Sequence, residues 1–271
     1  MHSNRGFTLI EILVVVAVLA ILLGLGTSAI SAAIGKGKIA AEVSAAKTLV
    51  AAYQAAAADN DGRYLPAYDG VASNVNNASG KPLAMKESKG RYPWRLAPYL
   101  GYALKGSLLV GGNEEQFMKA MEIKSRSSSL YDYGVSIFPA LGINRSYVGG
   151  HILSNGKYLT NITAPDCIKT VAGADRSVIV FASAGADGID GYEYVKAPGA
   201  PDASWKDGEW TDKSNPGDFG YVHPRHDGKA VAAFLDGSVR MLGLGELRDM
   251  RLWSRDAAMQ DDPNYKTRAQ N

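Results

Sequence analysis

The sequence has little cysteine: Cys167 is the single one among 271 residues. One thiol cannot form an intrachain disulfide. A catalytic thiol needs a base and an orienting group, and the residues around Cys167 suggest neither. We therefore interpret Cys167 as a small buried residue.

An excess of charge is also lacking, because 29 Lys and Arg face 27 Asp and Glu. A chain with such balanced charges lacks the net positive charge that is typical of nucleic-acid-binding proteins, and no nucleic-acid partner is expected. Charged residues make up 21% and apolar residues 46%, which argues against wholesale disorder. The length leaves room for one or two domains with a real core.

Catalytic signatures are missing as well. No glycine-rich phosphate loop follows a strand pattern, and no Ser-His-Asp set stands out. We expect a protein that is not an enzyme and that needs no cofactor.

The N-terminus carries the most informative pattern. A short basic leader precedes an apolar run over 12–34, and Glu11 is the only charge between Arg5 and Lys36. About 20 apolar residues suffice for a membrane-spanning helix, and the basic leader would stay cytoplasmic. A secretory signal peptide and a plain signal anchor are alternatives. Neither accounts for Glu11, since an ionisable group at a membrane helix indicates a function.

The segment Arg5-Gly6-Phe7-Thr8-Leu9-Ile10-Glu11 resembles the processing site of type IV prepilins and type II secretion pseudopilins. The resemblance implies that prepilin peptidase cleaves after Gly6 and methylates the new amine of Phe7. It further implies that Glu11 pairs with the N-terminal amine of a neighbouring subunit. Opposite charges attract strongly in a low-dielectric bundle, and leaving one unpaired is costly.

The same resemblance implies the partners and the location. We expect a homo- or hetero-oligomeric filament of pilin-like subunits, built by an assembly platform and an ATPase. The chain would cross the cytoplasmic (inner) membrane once, with its head exported to the periplasm and its mature form in a pilus or pseudopilus. The alternative is a membrane-anchored ligand-binding or enzymatic head that is exported by the pilin route.

Helical patterning continues beyond the apolar run. An apolar stripe follows steps of three and four, with Glu42 among the polar residues assigned to the remaining surface. The stripe comprises Ile39, Val43, Ala46, Val50, Tyr53 and Ala57. The stripe would pack against the head; a coiled-coil seam is the alternative. Poor helix formers close the helix near 59–62.

These patterns predict a leader over 1–6, a long helix over 7–58 and a globular head over 59–271. The fold class is α+β: a long N-terminal transmembrane helix packed against a mainly antiparallel β-sheet, as in pilins. Asp236-Gly237 between two strand-like runs predicts a hairpin over 229–242 with a two-residue turn. In that register Phe234 faces Val239.

His226, nine residues, and then Asp236-Gly237 resemble a C-terminal motif of prepilin-processed proteins, although Ser238 stands where histidine is common. We assign Asp236 to the turn and expect His226 to hydrogen-bond loop backbone. A zinc site that includes His223 is the alternative.

Asp187, Asp190 and Glu193 offer several oxygens on one turn. Calcium binds such oxygens, and the major pseudopilin of type II secretion binds calcium in its head. The three residues are therefore the candidate ligands for calcium, against a plain acidic turn.

Overall fold

The computed structural model describes residues 8–173, 177–203, 205–211 and 213–267, with residues 21–29 and 31–32 described by their backbone alone. The chain divides into two compact units, Met1–Ala40 and Ala41–Asn271. The second unit contains all the strands described below.

The described residues form helices and short strands. The α-helices are α1 Leu9–Asp59, α2 Lys86–Gly90, α3 Tyr92–Leu96, α4 Asn113–Ala120, α5 Ser129–Ile137, α6 Leu244–Leu247 and α7 Arg255–Met259. Short 3-10 helices cover Ala97–Leu100, Val171–Gly173, Pro216–Asp218 and Met250–Leu252. The strands are β1 Tyr68–Asp69, β2 Leu141–Asn144, β3 His151–Ile152, β4 Ile179–Ser183, β5 Tyr194–Val195, β6 Lys229–Phe234 and β7 Val239–Gly243.

The first unit consists of the N-terminal part of α1. Its described large apolar side chains up to Ile34 are exposed, with values between 49% for Val18 and 81% for Leu9, and Ile39 is half-buried. Within the residues that the structure describes, no helix reaches the length and apolarity needed to cross a membrane. The membrane span over 12–34 stays a prediction.

In the second unit α1 buries a broad face. Ala46, Val50, Tyr53 and Ala57 of the predicted stripe are all buried. The assignment of Glu42 to the surface was wrong, because this residue is only 2% exposed. Residues three and four apart share a helix face. Glu42 therefore lies on the face of buried Ala45 and Ala46.

A five-stranded sheet in the order β5-β2-β4-β6-β7 forms the centre of this unit. Strand β2 pairs with β5 in parallel, whereas the β2–β4, β4–β6 and β6–β7 pairs are antiparallel. A second sheet consists of β1 and β3 in parallel. The predicted α+β class is confirmed, with a mixed sheet.

Both faces of the central strands are buried. Phe181 of β4 packs edge-on against Tyr53 of α1, with 5.5 Å between ring centroids. Phe234 of β6 belongs to a second buried cluster, together with Trp253 near the C-terminus. The sheet thus lies between α1 and the C-terminal segment, and burial of such large apolar groups drives this packing.

The hairpin spans 229–243, one residue beyond the predicted end, and its register differs from the prediction by one residue. Ala233, rather than Phe234, is opposite Val239. The Gly237 amide donates to the Phe234 carbonyl over 2.9 Å, and Gly237 has a φ of 87°. This three-residue loop is a type I turn with a glycine bulge, in which the glycine alone needs positive φ.

The two-residue turn that Asp-Gly favours occurs earlier in the chain. Asp227 and Gly228 have φ values of 51° and 75°, and His226 and Lys229 exchange two backbone hydrogen bonds around them. This type I′ turn begins at His226 and leads into β6.

Candidate functional site

The first turn of α1 is closed by Thr8 and Glu11. The Thr8 amide and hydroxyl both donate to Glu11 Oε2, over 2.8 and 2.9 Å, and the Glu11 amide donates to Thr8 Oγ1 over 3.3 Å. This reciprocal pair is a capping box, which satisfies amides that have no helical partner. The Thr-x-x-Glu spacing before an apolar run is its sequence signal, and sequence reasoning missed it.

Glu11 remains exposed in this arrangement. Both bonds from Thr8 end on Oε2, and a carboxylate offers about four acceptor positions. The side chain therefore has capacity for a further donor. Gly6 and Phe7, the predicted processing residues, lie outside the described residues.

A buried ion cluster surrounds Glu42 of α1. Arg225 donates from Nε to Oε2 and from Nη2 to Oε1, both over 2.9 Å. His226 Nε2 lies 2.9 Å from Oε2, and the Ser183 hydroxyl donates to Oε1 over 2.5 Å. The bidentate geometry of Arg225 matches the strong form of a guanidinium–carboxylate pair. We call these four residues the Glu42 cluster.

The members of the Glu42 cluster come from α1, from β4 and from the loop that precedes β6. Ser183 ends β4, and its hydroxyl accepts the Val231 amide of β6 over 2.7 Å. Arg225 also donates to the Ala184 and Ala140 carbonyls, over 2.8 Å each. His226 is held by the type I′ turn. The cluster therefore ties α1 to the sheet.

Burial alone would raise the pKa of Glu42, but the charge of Arg225 and hydrogen bonds from His226, Ser183 and Arg225 outweigh it. They lower the pKa from 4.5 to about 2. Glu42 is consequently ionised at neutral pH, and a buried carboxylate is tolerable only when it is paired.

The residues of the C-terminal motif, His226 and Asp236-Gly237, lie in two different places. The ring of His226 contacts Glu42 rather than loop backbone, so the backbone assignment for that ring was wrong. Asp236 lies in the turn after β6, where its Oδ1 accepts the Ser238 amide over 2.8 Å. The two motif ends thus serve separate purposes, one in the Glu42 cluster and one with Gly237 in the hairpin loop.

The candidate calcium ligands take different partners. Asp187 is exposed on a turn with a φ of 53°, and Glu193 Oε2 lies 2.7 Å from Arg91 Nε. Asp190 accepts from Gln116 over 2.8 Å and lies 3.3 Å from His223 Nδ1. Among the described side chains, no group of three or more His, Cys, Asp or Glu is placed to hold a metal ion.

His223 lies beside Asp190, whereas His226 contacts Glu42, so the two histidines have different partners. Burial and the positive charge of Arg225 lower the pKa of His223 to about 4, although Asp190 opposes them. The ring is therefore neutral at neutral pH. Cys167 is buried, and burial raises the pKa of its thiol to about 12.

Residues 1–27 match the family described as the prokaryotic N-terminal methylation motif. The match confirms the resemblance to prepilin-type pilins and pseudopilins, and it rests on this segment alone. No curated protein and no solved structure matches the chain. The N-terminal segment is thus similar to that of prepilin-type proteins, which carry the signal for prepilin peptidase.

Proposed function

We propose that this protein is a structural subunit of a type IV pilus-like or type II secretion pseudopilus filament, and not an enzyme. The observation that carries the proposal is the methylation motif over residues 1–27. The last residues of its processing sequence, Thr8 to Glu11, form the capped first turn of α1. A carboxylate in the first turn also suits the positive end of the helix dipole.

In the proposed maturation, prepilin peptidase cleaves after Gly6 and methylates the amine of Phe7. In the sequence, Phe7 directly precedes Thr8, the residue that caps α1. Because a charged amine inside an apolar bundle needs a counter-charge, Glu11 of the neighbouring subunit pairs with it. Pairing of this kind sets the axial register between subunits.

The proposed location is the inner membrane, crossed once by residues 12–34, with the head in the periplasm. An assembly platform and an ATPase would extract the subunits into the filament. Extraction pulls on α1, and the Glu42 cluster supports this role because it ties the helix from Ala41 onward to the sheet.

The test is intact mass and N-terminal sequencing of the full chain from membranes, with and without prepilin peptidase. We expect a peptidase-dependent start at methylated Phe7. A Gly6→Leu variant should keep Met1 in both preparations. A start near Ala29 or Ile34, or an uncut Met1 with the peptidase present, would contradict the proposal.

A further inference from the structure

A cavity of about 270 Å³ opens in the head where the β1–β3 sheet meets the edge strand β5. We call it the tyrosine–arginine cavity. Its lining includes Tyr68, Arg91, Arg145, His151, Glu193 and Tyr194. Pockets for drug-sized ligands run from about 300 to 1,000 Å³, so this volume suits a single small ring.

The charges around the tyrosine–arginine cavity do not balance. Arg91 is matched by Glu193, with 2.7 Å between Nε and Oε2. Arg145 and Lys196 share one carboxylate, that of Asp202. Burial and the neighbouring Arg145 lower the pKa of His151, which therefore adds no charge at neutral pH. One positive charge is left over in this set.

The excess charge coincides with an unused donor. Arg145 is 7% exposed, and its Nε is buried without a hydrogen-bond partner in the described part of the chain. A buried donor that makes no hydrogen bond costs about 1–3 kcal/mol, so an acceptor that reaches Arg145 Nε gains this free energy. A carboxylate supplies both the acceptor and the negative charge.

The remaining lining consists mainly of rigid rings. The guanidinium of Arg145 lies over Tyr194, with its Cζ 3.7 Å from the ring centroid. Tyr68 stacks on His151 at 4.8 Å. Tyr68, Tyr192 and Tyr194 thus line the cavity, and a tyrosine side chain combines apolar ring surface with a hydroxyl group. A pyranose has the matching features, namely C–H faces that pack on rings and hydroxyls that hydrogen-bond.

We propose that the tyrosine–arginine cavity binds a uronic acid, with the sugar carboxylate accepting from Arg145 and the pyranose face against the tyrosine rings. The sugar is either free or a residue of an acidic polysaccharide. This binding activity of the head does not depend on the proposed filament role, because none of these residues belongs to α1.

The test is saturation-transfer difference NMR on the full chain in detergent, titrated with glucuronate, glucose and a glucuronate oligomer. We expect saturable transfer to glucuronate and binding of glucose at least tenfold weaker. A tighter oligomer would identify a polysaccharide as the source, and an oligomer equal to or weaker than glucuronate would identify the free sugar. Equal binding of glucose and glucuronate, or no saturable transfer in the millimolar range, would overturn the proposal.

Arg145→Lys keeps the charge beside Asp202 but removes the guanidinium donor, and we expect at least tenfold weaker glucuronate binding. Arg126→Lys is the matched control, since Arg126 pairs with Glu114 over 2.6 Å and does not line this cavity. Thermal unfolding shows whether each variant folds. If Arg145→Lys does not fold, Tyr68→Leu tests the ring contact in its place. Wild-type affinity in the folded variant would refute the assignment.

Discussion

Glu42 is a buried carboxylate whose two oxygens take donors from three side chains. Removing one member of a buried ion pair leaves the partner's charge uncompensated, which costs about 3–5 kcal/mol. We expect Glu42→Gln to lower the free energy of unfolding by about 3 kcal/mol, since the amide keeps the shape but not the charge. Thermal unfolding of the full chain, followed by near-ultraviolet circular dichroism, measures the loss.

The matched control for that change is Glu115→Gln. Glu115 lies on α4 and is exposed, so its substitution should change the free energy of unfolding by less than about 0.5 kcal/mol. Equal stability of the two variants would mean that the Glu42 cluster does not hold α1 in the head.

The pKa of Glu42 also predicts a pH dependence. Because the folded pKa is about 2 and the ordinary value is 4.5, the unfolded chain binds the proton more readily. The stabilisation of about 3 kcal/mol is present above pH 4.5 and is lost as the pH falls towards 2. The difference in unfolding temperature between wild type and Glu42→Gln should shrink over this window. A constant difference from pH 7 to pH 2 would contradict the ion pairing.

At the scale of elements, the loop after β6 depends on one glycine. Gly237 has a φ of 87°, a conformation that costs other L-residues about 1–2 kcal/mol. We expect Gly237→Ala to destabilise the head by this amount, as measured by thermal unfolding. Gly245→Ala is the control, because Gly245 has ordinary φ and open space where a Cβ would stand. A two-residue turn with the predicted register would instead require positive φ at Asp236 too.

Local patterns carried most of what could be predicted about the elements. The stripe from Ala46 to Ala57 and the end of α1 follow from helical periodicity and poor helix formers. The Asp-Gly pattern correctly indicated a turn but not its type: the type I′ turn forms at Asp227-Gly228, and Asp236-Gly237 takes the bulged loop. Turn type depends on the strands on either side, which the dipeptide alone does not encode.

Local sequence patterns could not predict contacts between residues that are far apart in the chain. Glu42 stands 183 residues from Arg225 and 184 from His226 in the chain, so nothing near it indicates a partner. A lone carboxylate on a helix is ordinarily assigned to the surface. The cap of Thr8 and Glu11 is the opposite case, because both residues belong to one short signature that the sequence displays.

At the scale of the whole molecule, the two glutamates of α1 differ in where their charge is satisfied. Glu42 is buried and takes its counter-charges from the same chain. Glu11 is exposed, and its described bonds come from a neutral threonine. In the proposed filament, the Glu42 carboxylate stabilises the fold of its own subunit, whereas the Glu11 carboxylate pairs with a positive charge of another subunit.

This difference predicts a separation of processing from assembly. Glu11→Gln retains an oxygen that can accept from Thr8, so α1 should still begin at the same residue and cleavage after Gly6 should proceed. The amide cannot neutralise a neighbouring amine. Because an unpaired buried charge costs about 3–5 kcal/mol, we expect at least about tenfold fewer filaments.

N-terminal sequencing and electron microscopy of the sheared filament fraction measure the two steps in one preparation. Glu115→Gln, which changes the same charge on the head, should be processed and assembled at the wild-type level. Normal filament yield from Glu11→Gln would show that the carboxylate acts only as a helix cap. In that case the register between subunits would have to come from the apolar face of α1, since the ion pair would be dispensable.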